Sequence, residues 1–315
     1  MSEHDSLLKL SESRMSKGST SFRLASRLLG SDVQESVFHL YSWCRYCDDI
    51  IDGEPADTKE AKLRKWDDLA IQTRACFKTD IHPHPIFRGL QVAIRSHEIP
   101  EAYPFQLLEG MRMDIEGRTY KTFEELDLYC YRVAGVVGLM MGHILGVSDE
   151  SALLSACSMG SAMQLTNICR DVREDFDSGR VYLPTGLLHA ENINQEDLMN
   201  IEKRENLFRV VQETLNRANK LYRLGDRGIS ALPFRSAMAI STARRIYSAI
   251  GQSLLESGPQ GLEKRTIVPT PEKFLLLLVG IARVGAQIPQ RLKNPHRRSP
   301  IENLWIPQTK ILSEV

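Results

Sequence analysis

The sequence predicts an all-α protein of one domain, and three observations carry that expectation. Apolar residues recur at helical spacing along most of the chain, with no convincing run of the alternating pattern a strand requires. Helix-start signals stand before several of these segments, Thr122-x-x-Glu125 and Thr270-Pro271-Glu272 being the clearest. No low-complexity linker and no repeat of solenoid period divides the 315 residues.

Residues 1–14 are expected to form a loose N-terminal end, 15–288 the helical domain, and 289–315 a Pro-rich, mildly basic tail. Ser19-Thr20-Ser21 reads either as a cap for the helix that begins at Phe22 or as hydroxyls that hold a phosphate. Chain breaks follow at Gly30-Ser31-Asp32, Gly53-Glu54-Pro55, His82–Pro85 and Pro100. The capping box at Thr122 opens a helix that runs past Tyr129 and Val133 to about Leu145. Ser148 to Phe176 reads as one long helix that stops at Asp177-Ser178-Gly179. Pro184, Gly225-Asp226-Arg227-Gly228 and Ser257-Gly258-Pro259 mark further breaks, after which Pro271 starts the last helix. These intervals give roughly eight to twelve helices.

Composition narrows the function. Lys+Arg 40 balances Asp+Glu 40, so the basic excess that an extended nucleic-acid surface needs is missing. Ordinary glycine and proline counts, with 42% hydrophobic residues, exclude collagen-like and disordered classes. The six cysteines lie in apolar, helix-like text and read as reduced core residues of a cytoplasmic protein. The polar, acidic start lacks the features of a signal peptide, and no apolar stretch reaches the roughly 20 residues that span a bilayer.

Two acidic clusters carry the chemistry, Asp48-Asp49-Ile50-Ile51-Asp52 and Asp171-Val172-Arg173-Glu174-Asp175. In each, two aspartates four residues apart share one helix face, a spacing that repels unless something compensates. Mg²⁺ is the natural partner, because it takes carboxylate oxygens while keeping positions for water and phosphate. Upstream, Tyr41 and Arg45 continue the first stripe, and Gln164 and Asn167 the second. Each polar stripe runs along a helix whose other faces are apolar, which implies a cavity or a second stripe opposite. Arg45 and Arg170 beside the carboxylates suit a metal-bridged phosphate better than a bare ion. A lone DDxxD is more often a solvated face, and the duplication is what gives the signal weight. Cys44-x-x-Cys47 and His82-Pro83-His84 read as structural, and no P-loop, GxSxG or GxGxxG occurs.

Several segments together resemble the squalene/phytoene synthase family, most of all its bacterial phytoene synthase branch. They are Ser19-Thr20-Ser21-Phe22, Tyr41 to Arg45 leading into Asp48–Asp52, Val133 to Gly138, Gln164 to Asp175, and Gly179 to Pro184. The resemblance runs from about Lys17 to about Val284. It implies an all-α isoprenoid-synthase fold, with two Asp-rich helices facing each other across the mouth of a central cavity. It also implies condensation of two geranylgeranyl diphosphates, through cyclopropyl prephytoene diphosphate, to phytoene. By the same resemblance Asp48, Asp52, Asp171 and Asp175 hold Mg²⁺, with Mn²⁺ as an alternative, and no NADPH is needed. Arg45, Arg170 and Tyr41 contact diphosphate, as do Ser19 and Ser21. Gln164 and Asn167 flank the second motif, Tyr129 and Tyr182 lie in the cavity, and Tyr247 and Arg265 join the site. Phe22 and Ser26, four residues apart, share a face, so Ser26 is expected on the cavity wall, where a small side chain leaves room for a C20 chain.

Other readings stay open. A C30 relative would make dehydrosqualene, presqualene diphosphate or squalene from farnesyl diphosphate, squalene formation requiring NADPH. From another class, a silent helical assembly protein would carry the acidic clusters as solvated faces. Isoprenyl diphosphates are the expected partners, and nucleic acid is not. Peripheral membrane contact and oligomeric state are left open by the sequence.

Overall fold

The computed structural model of the chain describes residues 3–18, 24–53 and 57–286. Thirteen α-helices occur among these residues, joined by short turns, and no strand does. Helix α1 (Glu3–Gly18) lies on α2 (Ser31–Asp52) and turns Leu7, Ser11 and Met15 inward, one face at helical spacing. His39 bridges two elements, its Nε2 lying 3.2 Å from Glu35 Oε1 and its Nδ1 2.9 Å from the Ser11 hydroxyl. The N-terminal end expected to be loose is therefore largely a packed helix. Residues 289–315 and the Ser19-Thr20-Ser21-Phe22 segment lie outside the described residues.

Next come α3 (Lys59–Lys78), capped by the Thr58 hydroxyl, α4 (Pro85–His97), with proline in its first turn, and α5 (Ala102–Glu116). Gly117, at φ 67°, ends α5 in the left-handed conformation that glycine adopts without a Cβ clash. The capping box forms at α6 (Phe123–Cys130), where Glu125 N–H donates to Thr122 Oγ1 at 3.5 Å. Its glutamate reaches back to the Lys121 N–H at 2.6 Å rather than to that of Thr122. The expected helix to Leu145 is one path with a defect: a π-helical turn at Tyr131–Gly135 separates α6 from α7 (Val136–Ile144).

Helix α8 (Glu150–Arg170) is the central pillar, packed against α7, the π turn and the two long helices that follow. The single helix expected to reach Phe176 breaks at Asp171 (φ −100°, ψ 11°), and α9 (Val172–Asp177) resumes beyond it. Short α10 (Thr185–Ala190) leads by 3₁₀ turns to α11 (Arg204–Gly228) and then α12 (Phe234–Ser257). The expected break at 225–228 falls at its last residue: α11 runs through Gly225 and ends at Gly228, and both glycines rest against α8. Helix α13 (Thr270–Ala286) begins at the predicted signal and packs on α12. Two backbones touch where α7 and the π turn meet α8. A Cβ on Gly138 would fall 2.2 Å from the Ala156 carbonyl oxygen, and one on Gly160 2.3 Å from that of Ala134. Trp43, Tyr103 and Tyr222 are fully buried at the heart of the core.

Candidate active site

A cavity of about 380 Å³ runs between α2, the π turn with α7, α8, α11 and α12. Its polar lining gathers at one end, where Tyr41, Asp48, Gln164, Asn167 and Tyr247 meet. Val133, Met141, Leu145, Val147 and Met159 are among the apolar groups that line the rest. Helix rise explains the separation: the stripes of α2 and α8 turn polar only near their C-termini, and both ends point to the same mouth.

The two acidic motifs meet there. Arg180 donates to Asp52 Oδ1 at 2.9 Å, linking the end of α2 to the turn after α9. Burial, then the neighbouring Asp52 charge, pushes Asp48 up to about 6, against the pull of Arg45. Burial and Asp171 push Asp175 up to about 7. Between them sits Asp114, near the end of α5, raised to about 6 by burial despite the hydrogen bonds it accepts. Asp114 repels both Asp48 and Asp175, so the three carboxylates form one electrostatic cluster drawn from α2, α5 and α9.

Asp171 sits differently from the other motif aspartates. It accepts from Arg170 Nε at 2.8 Å and Nη2 at 2.5 Å, and Arg265 Nε lies 3.2 Å away on its other side. Arg265 also donates to Glu174 Oε2 at 3.1 Å. Arg45 is half-exposed, pairing with Asp49 at 2.9 Å and Asp48 at 3.6 Å. Burial raises the Tyr41 hydroxyl above its ordinary value, and Tyr247 adds to the rise.

Tyr129 and Tyr182, expected in the cavity, are brought together elsewhere. Their rings stack at 4.9 Å, and their hydroxyls donate to the two oxygens of Asp114 at 3.0 and 2.8 Å. Neither ring is among the residues that line the cavity. Ser26 is buried, but it too is absent from that lining; its carbonyl accepts from the Gln34 side chain at 2.9 Å. Sequence reasoning missed Asp114, which stands alone in Arg112-Met113-Asp114-Ile115 without a second acid at helical spacing. Helix α5 also carries Glu109, Arg112 and Glu116, so nothing in its sequence singled Asp114 out.

The residues present suit a hard divalent cation. The buried Asn167 Oδ1 on the cavity wall has no hydrogen-bond partner, and the Asp48 carboxylate lines the same cavity. Among the described residues no group of three acidic, histidine or cysteine side chains stands close enough to hold a metal ion by itself. Such a donor set leaves coordination positions for phosphate oxygens.

A deep apolar cavity under an acidic rim, within a bundle built of helices alone, defines an all-α enzyme of the isoprenoid-synthase fold. The chain belongs to the squalene/phytoene synthase family, whose pattern it matches over residues 15–272. It is 39% identical over 297 residues to a 15-cis-phytoene synthase of Enterobacter agglomerans, covering 92% of this chain and 99% of that one. The same enzyme of Pantoea ananas is 39% identical over 309 residues, covering 95% and 97%. A dehydrosqualene synthase crystallised with a ligand superposes with a TM-score of 0.83 at 26% identity, covering 90% of this chain and 98% of that one. A squalene synthase of Alicyclobacillus acidocaldarius gives 0.72 at 25%, covering 82% and 95%.

Proposed function

We propose that the chain is a prenyltransferase of the 15-cis-phytoene synthase type, joining two geranylgeranyl diphosphates head to head with release of both diphosphates. The depth of the cavity is the observation that carries the C20 assignment. From Asn167 at its mouth to Ala152 at its far end, the wall follows fifteen residue steps along α8, about 22 Å at the helical rise. An extended chain of four isoprene units is roughly 20 Å long, against roughly 15 Å for three.

Asp48, Asp52, Asp175 and Asp171 would hold Mg²⁺, with Mn²⁺ as an alternative, and Asn167 Oδ1 would add a neutral oxygen. When bound, the metal neutralises charge that gathers on diphosphate as the allylic C–O bond breaks. Arg45, Arg170 and Arg265 flank the carboxylates and turn toward the same anion once substrate competes for them. Ser19, Ser21 and Phe22 belong to this proposal by resemblance alone. Tyr41, Gln164 and Tyr247 form the collar between the charged rim and the apolar wall. Below that collar the walls exclude water, which would otherwise capture the cation as an alcohol. The last cation must lose a proton, and Asp114, raised to about 6 and held by Tyr129 and Tyr182, joins released diphosphate as a candidate acceptor. No helix among the described residues is long and apolar enough to cross a membrane, in keeping with a proposed cytoplasmic site of action.

The test is incubation of purified protein with geranylgeranyl diphosphate and Mg²⁺, without NADPH. A non-reduced C40 hydrocarbon is the expected product. The likeness to a dehydrosqualene synthase makes the C30 reaction the second reading, and exclusive use of farnesyl diphosphate would establish it.

A further inference from the structure

The cavity does not end in the thick of the core. Its far end, beside Val147 and Leu232, is closed by Ala152 in the first turn of α8 and Gly228 at the end of α11. The same two residues line a second hollow of about 400 Å³ on the outer side, whose other walls include Ser151, Ser155, Ser158 and Arg227. Ala152 and Gly228 thus line both hollows, and form a partition one residue thick between the apolar cavity and an outer hollow of mixed lining.

Both members of the partition are held rigidly. The Ala152 N–H donates to Asp149 Oδ2 at 2.9 Å, fixing the first turn of α8. A Cβ on Gly228 would lie 2.6 Å from Ser155 Cβ and 3.2 Å from the Ala152 carbonyl oxygen, so α11 rests on α8 there with no room for a side chain. Of these two residues, Ala152 is therefore the one whose side chain can grow or shrink without parting two backbones.

We propose that Ala152, backed by Gly228, is the length gauge of the cavity: the ω-end of the prenyl chain stops against it. This rests on the functional reading above. A C20 chain anchored at the carboxylate rim reaches Ala152, a C15 chain stops about one isoprene unit, roughly 5 Å, short of it, and a C25 chain would have to push its end through the partition into the outer hollow.

The experiment measures binding, apart from turnover. Unreactive thiolodiphosphate analogues of farnesyl, geranylgeranyl and geranylfarnesyl diphosphate are titrated by calorimetry, with Mg²⁺, into wild type, Ala152→Val, Ala152→Leu, Ala152→Gly and Ser230→Leu. Geranylgeranyl affinity is expected to fall stepwise through Val and Leu, at least ten-fold at Leu, with farnesyl affinity within two-fold. Ala152→Gly is expected to gain at least ten-fold for the geranylfarnesyl analogue, and Ser230→Leu, which faces the outer side, to leave all three unchanged. Val is included because its small added volume keeps the fold if Leu overpacks. Unaltered chain-length ratios in variants of native helicity would overturn the gauge, as would an equal shift in Ser230→Leu. Failure of the functional reading is separately visible, as wild type that binds these analogues but forms no C40 product.

Discussion

Arg180 and Asp52 lie 128 residues apart in sequence, yet the guanidinium donates to the carboxylate at 2.9 Å. Through this contact the end of the first acidic helix is tied to the turn that follows the second. The same guanidinium also pulls Asp114 and Asp175 toward their charged forms, opposing burial at each. One guanidinium thus bonds one carboxylate and draws two more toward their charged forms, across three elements. Arg180→Gln is expected to lower kcat/KM at least ten-fold and to raise the Mg²⁺ concentration for half-maximal rate, both read from steady-state assays across a Mg²⁺ series.

Asp48→Asn and Asp175→Asn are expected to cut turnover by at least a hundred-fold while leaving far-UV circular dichroism unchanged. Asparagine keeps the shape but removes the charge that would hold the metal. Activity within ten-fold of wild type for both variants at saturating Mg²⁺ would remove them from the ligand set.

The raised carboxylates also set a pH dependence of stability. Asp175, at about 7, and Asp48, at about 6, bind protons more tightly folded than unfolded. Their contribution is full below the unfolded value near 3.8 and is lost as pH rises through 6 to 7. Without metal, Asp175→Asn should therefore melt higher than wild type at pH 8, by about 2 °C or more, and the gap should close near pH 5. Thermal melts in chelator at the two pH values check the sign.

Tyr182→Phe removes a hydroxyl that donates to Asp114 at 2.8 Å and holds the charged form. The Asp114 carboxyl should then titrate still higher, moving the acid limb of the kcat/KM profile to higher pH. The lost bond to a half-buried carboxylate should cost about 1–3 kcal/mol in denaturant unfolding.

Gly160→Ala places a methyl 2.3 Å from the Ala134 carbonyl oxygen, where only backbone movement relieves the clash. A loss of about 1–3 kcal/mol or more is expected, with α8 displaced from the cavity wall. Urea unfolding measures the first effect and weakened substrate-analogue binding the second.

Much of this molecule was legible in the residues themselves. The helix at Thr122 and the start at Thr270 were written in capping chemistry, which is local and so visible in sequence. The two polar stripes were legible because helical spacing forces Asp48 and Asp52 onto one face. Asp114 was not, since its burial and its two tyrosine donors come from packing between α5, α6 and the turn after α9. Tyr129 and Tyr182 were picked out as residues, but their partner was hidden for the same reason. The break at Asp171 escaped because nothing in Arg170-Asp171-Val172 opposes a helix; two arginines hold that carboxylate only in the folded chain. Gly225 misled because glycine serves both turns and close helix contacts, and sequence does not distinguish them; the helix ends only at Gly228.

The π turn at Tyr131–Gly135 has an effect on the angular phase of its helix. One extra residue in a turn offsets everything beyond it by about 100° relative to an uninterrupted helix. Tyr129, ahead of the insertion, meets an acid, while Val133, Ala134 and Val137, in and just beyond it, face the oily chamber. Excising a single residue there would straighten the helix and swing α7 out of phase, so that Val137 and Met141 would leave the chamber together. The two surfaces of the enzyme, the wet rim and the dry interior, are in this sense indexed to one another by a single supernumerary residue.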